Sequence, residues 1–200
     1  MKNYSQINQD LYYLKYSKYR KCGYFLDIGA NDGVTFSNTY LLETNYSYTG
    51  LCIEADPSAV EKCKESRRCE VEQIAIWDTK GTIEYSRCPD TLLNGVANTL
   101  ADDWKSKFQF KNQLVKCDTL YNILEKNNCP NIIDYASIDI EGAEMRVLTK
   151  FFEENNDKYI FNYIDIEHNY KYFDEILGIM ISNGYSFLRE NSWDCTFVKL

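Results

Sequence analysis

The sequence predicts an α/β fold: a single domain with a doubly wound, mostly parallel sheet of seven strands that ends in a C-terminal antiparallel hairpin. The main observation is that apolar, β-rich runs alternate along the chain with segments of helical period, as in parallel strands joined by helices. Length and composition agree, because 200 residues with 44% hydrophobic side chains can bury one sizeable core. No linker or internal repeat divides the chain, so residues 1–200 are interpreted as one domain.

Five apolar runs predict the parallel strands, and two shorter runs predict the hairpin. The two shorter runs are separated by Asn191, Ser192 and Trp193, a spacing typical of a hairpin that closes a sheet edge. The predicted strands cover residues 24–28, 48–55, 71–76, 135–140, 159–167, 185–190 and 195–200.

The segments between the strands predict helices. A helix over about 7–20 is expected to pack on the domain, and Asp56 and Pro57 are typical of the start of another. Arg67 and Arg68 suit the C-terminal dipole of that second helix, so we expect a solvated helix end there. Further helices are expected after residue 142 and over 171–183.

Residues 88–112 show no clear period and are interpreted as a loop-rich insert. Three aromatic residues, Trp104, Phe108 and Phe110, lie among lysines in its second half. They could form a lid over a ligand, or they could belong to a solvated amphipathic segment. The sequence leaves both readings open.

Charge and cysteine usage exclude several classes of function. With 22 Lys+Arg against 30 Asp+Glu the net charge is −8, which disfavours a nucleic-acid partner. Eight cysteines without a CxxC pair and a single histidine predict reduced thiols and no zinc cluster. The start lacks an apolar signal core, and the longest uncharged stretch, 176–188, is too short and too polar for a bilayer. We therefore expect a cytoplasmic protein without a membrane segment; the sequence does not indicate an oligomeric state.

The first predicted strand ends in the stretch LDIGANDG, residues 26–33. Gly29 and Gly33 would let the backbone approach a ligand, as the first turn of a doubly wound sheet requires. A nucleotide-phosphate loop is absent, and GxGxxG fails because Asn31 occupies its second glycine. Asp27 and Asp32 would repel a pyrophosphate but suit the ammonium and sulfonium groups of S-adenosylmethionine. The alternative is that both aspartates only form the turn.

Glu54 ends the second predicted strand, 21 residues after Gly33. An acid at this position can accept hydrogen bonds from both ribose hydroxyls of a bound nucleoside. It could instead be an acid that merely flanks the following helix. A nicotinamide-dependent oxidoreductase would share the fold and this acid, but it lacks support from the glycine pattern.

Several motifs resemble one family in the same order along nearly the whole chain. The stretches LDIGANDG, SNTYLLE…YTGLCIEADP, AIWDTKG and ASIDIEGAEMRVL are similar to those of the FkbM family of S-adenosylmethionine-dependent methyltransferases. The start YSQINQD and the end NGYSFL…WDCTFV are similar as well. The resemblance implies a Rossmann-like class I methyltransferase fold. One departure is Ser137, where many members have lysine two residues before the aspartate of the fourth-strand motif.

The resemblance also implies roles for individual residues. The turn from Gly29 to Gly33 would hold the methionine part of the cofactor, Glu54 the ribose, and residues 75–78 the adenine, with Asp78 near its amino group. Asp139 would lie beside the reactive end of the cofactor, with Glu141 directed toward the substrate. The full expected set of cofactor contacts is Asp27, Gly29, Ala30, Asn31, Gly33, Asn38, Glu54, Ala55, Ala75, Ile76, Asp78 and Asp139.

Methyl transfer is an in-line displacement that depends on alignment and on the exclusion of water. A hydroxyl nucleophile also needs a base, for which the candidates are Asp139, Glu141, Glu167 and His168. His168 could equally be a structural hydrogen-bond partner, and Glu141 could cap a helix that begins at Gly142. Asp139, Glu141 and Glu167 could also share a Mg²⁺ ion, and the sequence does not choose between metal and base.

The predicted function is O-methylation of a hydroxyl on a carbohydrate or small-molecule acceptor, with S-adenosylmethionine as methyl donor. Two alternatives remain at this point. The chain could be a binding or regulatory protein on a methyltransferase scaffold, which would explain Ser137, or a NAD-dependent oxidoreductase. The intact LDIGANDG stretch and Glu54 favour the enzyme.

Overall fold

A computed structural model describes residues 3–88, 93–100 and 102–200. The strands in this part of the chain are β1 (Tyr24–Ile28), β2 (Thr49–Glu54), β3 (Glu70–Gln73), β4 (Ala75–Ile76), β5 (Gly81–Arg87), β6 (Gly95–Val96), β7 (Lys111–Asp118), β8 (Ile132–Ile133), β9 (Tyr135–Ile138), β10 (Ile160–Phe161), β11 (Tyr163–Glu167), β12 (Tyr185–Asn191) and β13 (Asp194–Lys199). The helices are α1 (Gln9–Tyr16), α2 (Tyr40–Tyr46), α3 (Pro57–Ser66), α4 (Asp102–Lys107), α5 (Leu120–Lys126), α6 (Glu144–Asn155) and α7 (Phe173–Ser182).

The central sheet confirms the predicted fold class. Its seven strands have the order β12-β13-β11-β9-β1-β2-β3, and β1 pairs in parallel with both β2 and β9. The C-terminal hairpin joins antiparallel, with β13 against β11 and Glu167 opposite Asp194. The strand order reverses at β1, and ligands of doubly wound sheets bind beyond the carboxyl ends of the strands at such a point.

Alternate residues of β1 are buried in two different cores. Leu26 and Ile28 belong to the larger apolar cluster on one face of the sheet, and Phe25 belongs to a second cluster on the other face. Each such fully buried side chain contributes about 1.5–3 kcal/mol. Asp27 shares the face of Phe25 and is 4% exposed, so its carboxylate lies under the segment that follows the strand.

A second, four-stranded sheet, β4-β7-β5-β6, was not predicted from the sequence. The run expected as one strand over 71–76 divides into β3 in the main sheet and β4 in this smaller one. β5 and β7 pair antiparallel over seven positions, but both carry many polar residues, and one side of each is exposed to solvent. Half-exposed strands with polar faces give a weak sequence signal.

The predicted loop-rich insert over 88–112 contains regular structure. β6 and α4 lie within it, and β7 begins at residue 111. Residues 89–92 and 101 of this insert fall outside the described part of the chain. Within the described residues, no helix combines the length and apolar character that crossing a membrane requires.

Arg67 does not lie in a solvated helix end, which corrects the sequence-based expectation. Helix α3 ends at Ser66, and Arg67 leaves the helix with an extended backbone, φ −109° and ψ 153°. Its side chain is fully buried, whereas Arg68 is exposed as expected. The change of backbone direction at the end of the helix turns the guanidinium toward the interior, which a helical pattern does not reveal.

The N-terminal segment lies across the carboxyl edge of the sheet. α1 covers 9–16, which is shorter than the expected 7–20. Ser5 forms a parallel bridge with Phe36, and the Gln9 side-chain amide donates to Asp194 Oδ2 at 2.7 Å. These contacts place Gln6 beside the space above β1 and β11.

Buried carboxyl groups make the stability of the fold depend on pH. Burial raises the pKa of Asp165 to about 6, that of Glu144 to about 7 and that of Asp194 to about 8. The unfolded chain releases these protons near pH 4, so between about pH 4 and 8 the folded chain binds more protons. The free energy of unfolding should therefore fall as pH rises, by up to about 1.4 kcal/mol per pH unit for each group.

Urea denaturation at pH 5.5 and pH 8.0 measures this dependence. We expect the higher midpoint at pH 5.5 and a smaller difference for Asp194→Asn, which cannot ionise. A wild-type protein that is more stable at pH 8.0 would contradict the expectation.

Candidate active site

A cavity of about 600 Å³ lies at the carboxyl ends of β1, β2, β9 and β11. Its walls come from the turn after β1, the end of β2, β4, the segment after β9 and the segment after β11. Most of the residues predicted as cofactor contacts or catalytic groups line it: Asp27, Gly29, Ala30, Asn31, Asn38, Glu54, Ala55, Ala75, Ile76, Asp139, Glu141 and Glu167. These assignments stay predictions, but the fold brings the residues to one place.

The turn after β1 is held tightly against its two neighbouring strands. The amides of Gly29 and Ala30 donate to the carbonyl of Ile53 at 2.9 and 3.2 Å. Gly29 has φ +87°, and a Cβ atom there would lie 1.8 Å from the backbone oxygen of Asp139. Glycine is therefore required at this position by the backbone that follows the neighbouring strand β9.

Glu54 anchors the turn from the end of β2. Its Oε2 accepts the backbone N–H of Asn31 at 2.8 Å, and its Oε1 accepts those of Ala55 and Asp56 at 2.7 and 2.8 Å. The glutamate is 7% exposed and faces the cavity, where Tyr85 of β5 lies beside it. Burial raises the pKa of Glu54, and the backbone hydrogen bonds oppose that rise. Sequence reasoning missed Tyr85 because it missed β5.

The two aspartates of the turn have different environments. Asp27 lines the cavity, and burial raises its pKa while Arg67 and two hydroxyls oppose the rise. Asp32 accepts the backbone N–H groups of Val34 and Thr35 at 2.9 and 2.7 Å and does not line the cavity. Asp32 thus acts as a turn former, which was one of the two readings, whereas Asp27 is available to a ligand.

Three predicted site residues lie outside the cavity walls. Gly33 packs on α3, where an added Cβ would meet Arg67 Cγ at 2.7 Å, so its small size serves helix packing. Asp78 forms an ion pair with Arg146 at 2.7 Å beyond Ala75 and Ile76. His168 is the third.

His168 follows Glu167, and successive residues of an extended chain point in opposite directions. Its side chain has no exposed surface, its Nδ1 accepts the backbone N–H of Tyr170 at 3.1 Å, and its Nε2 faces Glu190 at 3.6 Å. Burial lowers the pKa of this imidazole. This geometry favours the structural reading of His168 over the catalytic one, both of which the sequence leaves open.

Asp139, Glu141 and Glu167 form a carboxylate cluster, with one oxygen of each within 4.8 Å of the others. Asp139 is surrounded by protein but its side chain is open to the cavity, whereas Glu167 is buried and accepts from Asn169 Nδ2 at 2.8 Å. Glu141 has a left-handed backbone, φ +58°, and its buried Oε2 has no hydrogen-bond partner among the described residues.

The N-cap of α6 is Ala143, which makes no side-chain cap hydrogen bond, and the carboxylate of Glu144 holds the turn before the helix. Glu144 Oε1 accepts the backbone N–H groups of Ile140 and Gly142 at 2.8 and 3.3 Å. Glu141 is therefore not the helix cap, and its carboxylate remains for the cavity.

The three carboxyl groups of the cluster are close enough that the ionisation of one disfavours the ionisation of the others. Burial raises the pKa of Glu167 and of Glu141, and repulsion from Asp139 raises both further. Burial also raises the pKa of Asp139, although a hydrogen bond with Glu167 opposes this. Close carboxylates share protons, and so the cluster can accept a proton near neutral pH or bind a cation.

Asn38 and Ser137 add polar groups to the same cavity. Asn38 Nδ2 donates to Ser137 Oγ at 2.8 Å, and Asn38 is 9% exposed. The Oδ1 atom of Asn38 is buried without a hydrogen-bond partner among the described residues. An unsatisfied acceptor of this kind is costly, so it indicates a place where a ligand donates.

The outer part of the cavity is aromatic, which the sequence did not reveal. The segment after β11, the hairpin turn, the loop after β1 and α4 contribute aromatic side chains that no single run of sequence groups together. They are Phe36, Trp104, Tyr170, Tyr172 and Trp193. Of the three aromatic residues of the insert, Trp104 lines the cavity, whereas Phe108 is exposed and Phe110 is not part of the wall. Only the position of Trp104 agrees with the prediction of a lid over a ligand.

Comparisons with known proteins show which proteins this chain is similar to in sequence and in fold. The profile of the methyltransferase FkbM domain matches residues 27–187. A search of curated proteins finds no match to the sequence.

Two solved structures illustrate the similarity of fold. The methyltransferase FkbM from Methylobacillus flagellatus KT superposes with a TM-score of 0.57 at 15% identity, covering 88% of this chain and 43% of that one. The human methyltransferase 10 domain containing protein superposes with a TM-score of 0.51 at 12% identity, covering 96% of this chain and 81% of that one. This chain thus spans less than half the length of the Methylobacillus protein, and at such identities the superpositions show the fold alone.

Proposed function

Because the chain belongs to the FkbM methyltransferase family and is an S-adenosylmethionine-dependent methyltransferase, we propose that it transfers the methyl group to a hydroxyl of a carbohydrate or small-molecule acceptor. The observation that carries the proposal is the carboxylate cluster at the carboxyl ends of β9 and β11. It lies in the same cavity as Glu54 and the turn after β1, where a hydroxyl could be deprotonated next to the methyl donor.

The residues of the cavity fit the cofactor. Glu54 at the end of β2 offers carboxylate oxygens to ribose hydroxyls, and Asp27 offers one to an ammonium group. Ala75 and Ile76 supply a flat apolar wall for adenine. When bound, S-adenosylmethionine supplies an electrophilic methyl group on a sulfonium sulfur.

The protein contributes alignment, proton acceptance and the exclusion of water. Asp139, which is open to the cavity, would accept the proton of the acceptor hydroxyl while that oxygen bonds to the methyl carbon, the sulfur–methyl bond breaks and S-adenosylhomocysteine leaves as the thioether. Burial raises the pKa of Asp139 and so its affinity for that proton, although the hydrogen bond with Glu167 opposes the rise. The aromatic side chains of the outer cavity, such as Tyr172 and Trp193, exclude water and can stack on a sugar ring.

The charge of the cavity limits the acceptor. Five carboxylates line it, and Lys171 is the single Lys or Arg among its described lining residues. Phosphate groups would be repelled there, which disfavours nucleic acids and phosphorylated sugars and favours a neutral acceptor.

We therefore propose that methylation assays with neutral glycosides yield a methyl ether and that the corresponding sugar phosphates are poor acceptors. A methylated nitrogen or carbon in the product would contradict O-methylation.

Activation through a metal is the alternative to direct proton acceptance. Asp139, Glu141 and Glu167 offer the hard oxygen ligands that Mg²⁺ prefers. Loss of turnover after treatment with EDTA, and its return with Mg²⁺, would favour the metal.

Calorimetry with S-adenosylhomocysteine tests cofactor binding, with NAD as the competing ligand. We expect binding heat with S-adenosylhomocysteine and none with NAD. Binding heat with NAD and none with S-adenosylhomocysteine would contradict the proposal.

Glu54→Gln removes charge-assisted hydrogen bonds to ribose, so we expect its binding free energy for S-adenosylhomocysteine to weaken by about 1.5–3 kcal/mol. The exposed Glu153 of α6 gives a matched control, since Glu153→Gln should bind as the wild type does. Equal affinity of Glu54→Gln and wild type would refute the ribose role.

We also propose a reducing, cytoplasmic location. All eight cysteines are free thiols, including Cys52 and Cys69, whose sulfurs lie 3.5 Å apart. Such neighbouring thiols stay unlinked in a reducing compartment.

A further inference from the structure

Arg67 is buried between the loop after β1 and the ends of α2 and α3. Its Nη1 donates to the carbonyl oxygen of Gly33 at 3.0 Å, and its Nη2 donates to Thr39 Oγ1 at 2.9 Å. These two contacts hold both ends of the segment 33–39, whose residues 35–38 line the cavity. Neither Arg67 nor Thr39 lines the cavity, so any effect they have on a ligand passes through other residues.

Asp27 is the residue through which they can act on a ligand. Thr39 Oγ1 donates to Asp27 Oδ2 at 2.5 Å, Ser37 Oγ lies 3.4 Å from the same oxygen, and Arg67 Nη1 is 3.8 Å from it. In the described part of the chain, the hydrogen bonds to this side chain all engage Oδ2. Because Asp27 lines the cavity, Oδ1 is the oxygen left for a ligand.

The third nitrogen of the Arg67 guanidinium is also held by a hydrogen bond. Arg67 Nε donates to Glu43 Oε2 at 2.8 Å, and Glu43 Oε1 accepts the backbone N–H groups of Arg68 and Cys69 at 3.1 and 2.7 Å. The planar guanidinium thus bonds Glu43 through Nε and Thr39 through Nη2 at the same time, which the single ammonium group of lysine cannot do in the same geometry.

We propose that Arg67 and Thr39 are positioning residues for the methyl donor: they hold Asp27 by Oδ2 so that Oδ1 is directed at the ammonium group of the methionine part. The Thr39 hydroxyl is the link, because it accepts from Arg67 and donates to Asp27. The inference rests on the proposed cofactor role of Asp27.

Two Thr39 variants test the link by calorimetry with two ligands. Thr39→Val keeps the volume and removes the hydroxyl, and Thr39→Ser keeps the hydroxyl. S-adenosylhomocysteine carries the ammonium group, whereas 5′-methylthioadenosine lacks the amino-acid part. We expect Thr39→Val to weaken S-adenosylhomocysteine about tenfold, the loss of one charge-assisted hydrogen bond, and to leave 5′-methylthioadenosine unchanged. Thr39→Ser should bind both ligands as the wild type does.

Arg67→Lys provides a second route if Thr39→Val does not fold. This variant keeps the positive charge but cannot bond Glu43 and Thr39 at the same time, so we expect the same selective loss of S-adenosylhomocysteine affinity. Equal binding of S-adenosylhomocysteine by Thr39→Val and wild type would overturn the inference, and so would an equal loss for both ligands, which indicates a merely structural role. Absence of S-adenosylhomocysteine binding to the wild-type protein would instead contradict the proposed function.

Discussion

Asp139→Asn should lower turnover by about 10²–10⁴-fold, the usual contribution of a positioned general base. The amide cannot accept the proton of the acceptor hydroxyl. In the wild type, turnover should fall as pH decreases through the raised pKa of the cluster, above the ordinary carboxyl value of about 4. Initial rates between pH 5 and 9 measure both effects, and Asp174→Asn on the exposed start of α7 is the matched control.

The same variant separates catalysis from folding. Removing one charge from three close carboxylates relieves repulsion, so the fold of Asp139→Asn should be at least as stable as that of the wild type at pH 8. Turnover near the wild-type value would assign the proton to Glu141 or Glu167. If EDTA abolishes wild-type turnover and Mg²⁺ restores it, Asp139 acts as a metal ligand and direct proton acceptance is contradicted.

Arg67→Met should lower the free energy of unfolding by about 3–5 kcal/mol, because it leaves the buried carboxylates of Glu43 and Asp27 without their cation. Both carboxylates are less than a tenth exposed, and the Arg67 side chain is fully buried. Urea denaturation at pH 7 measures the loss.

Arg20→Met is the matched control for Arg67→Met. Arg20 pairs with Asp134 at 2.8 Å, but its side chain is 59% exposed. Exposed ion pairs contribute about 0–1 kcal/mol, so this variant should be nearly as stable as the wild type. If both variants lose a similar free energy of unfolding, burial does not decide how much the Arg67 ion pairs contribute to stability.

The sequence and the structure agree where local pattern decides the structure. β1 has the predicted bounds, since its apolar run is buried on both faces of a parallel sheet. α3 begins where Asp56 and Pro57 predict, with the Asp56 side chain accepting the backbone N–H groups of Ser58 and Ala59. The hairpin of β12 and β13 turns at the predicted residues.

They differ where a polar residue has two possible directions. The sequence predicts that Arg67 and Arg68 form a solvated helix end, yet Arg67 turns inward because the backbone leaves the helix at that residue. His168 and Glu167 are neighbours in an acidic strand end, yet only Glu167 faces the cavity. Gly29 and Gly33 both lie in the LDIGANDG turn and are both predicted to contact the cofactor. In the structure Gly29 packs against the backbone of Asp139, whereas Gly33 leaves space for α3.

By itself, the sequence determined the fold class, the family and the acids at the carboxyl ends of the strands, because parallel strands bring those ends to one edge of the sheet. The tertiary structure decided which of those acids share one cavity, which glycine meets the neighbouring strand and what compensates the buried charge of Asp27. Those outcomes depend on contacts between residues far apart in the chain, such as Arg67 with Asp27 and Glu43. Hydrophobic periodicity records which side of an element is buried, but it does not record which buried polar groups meet there.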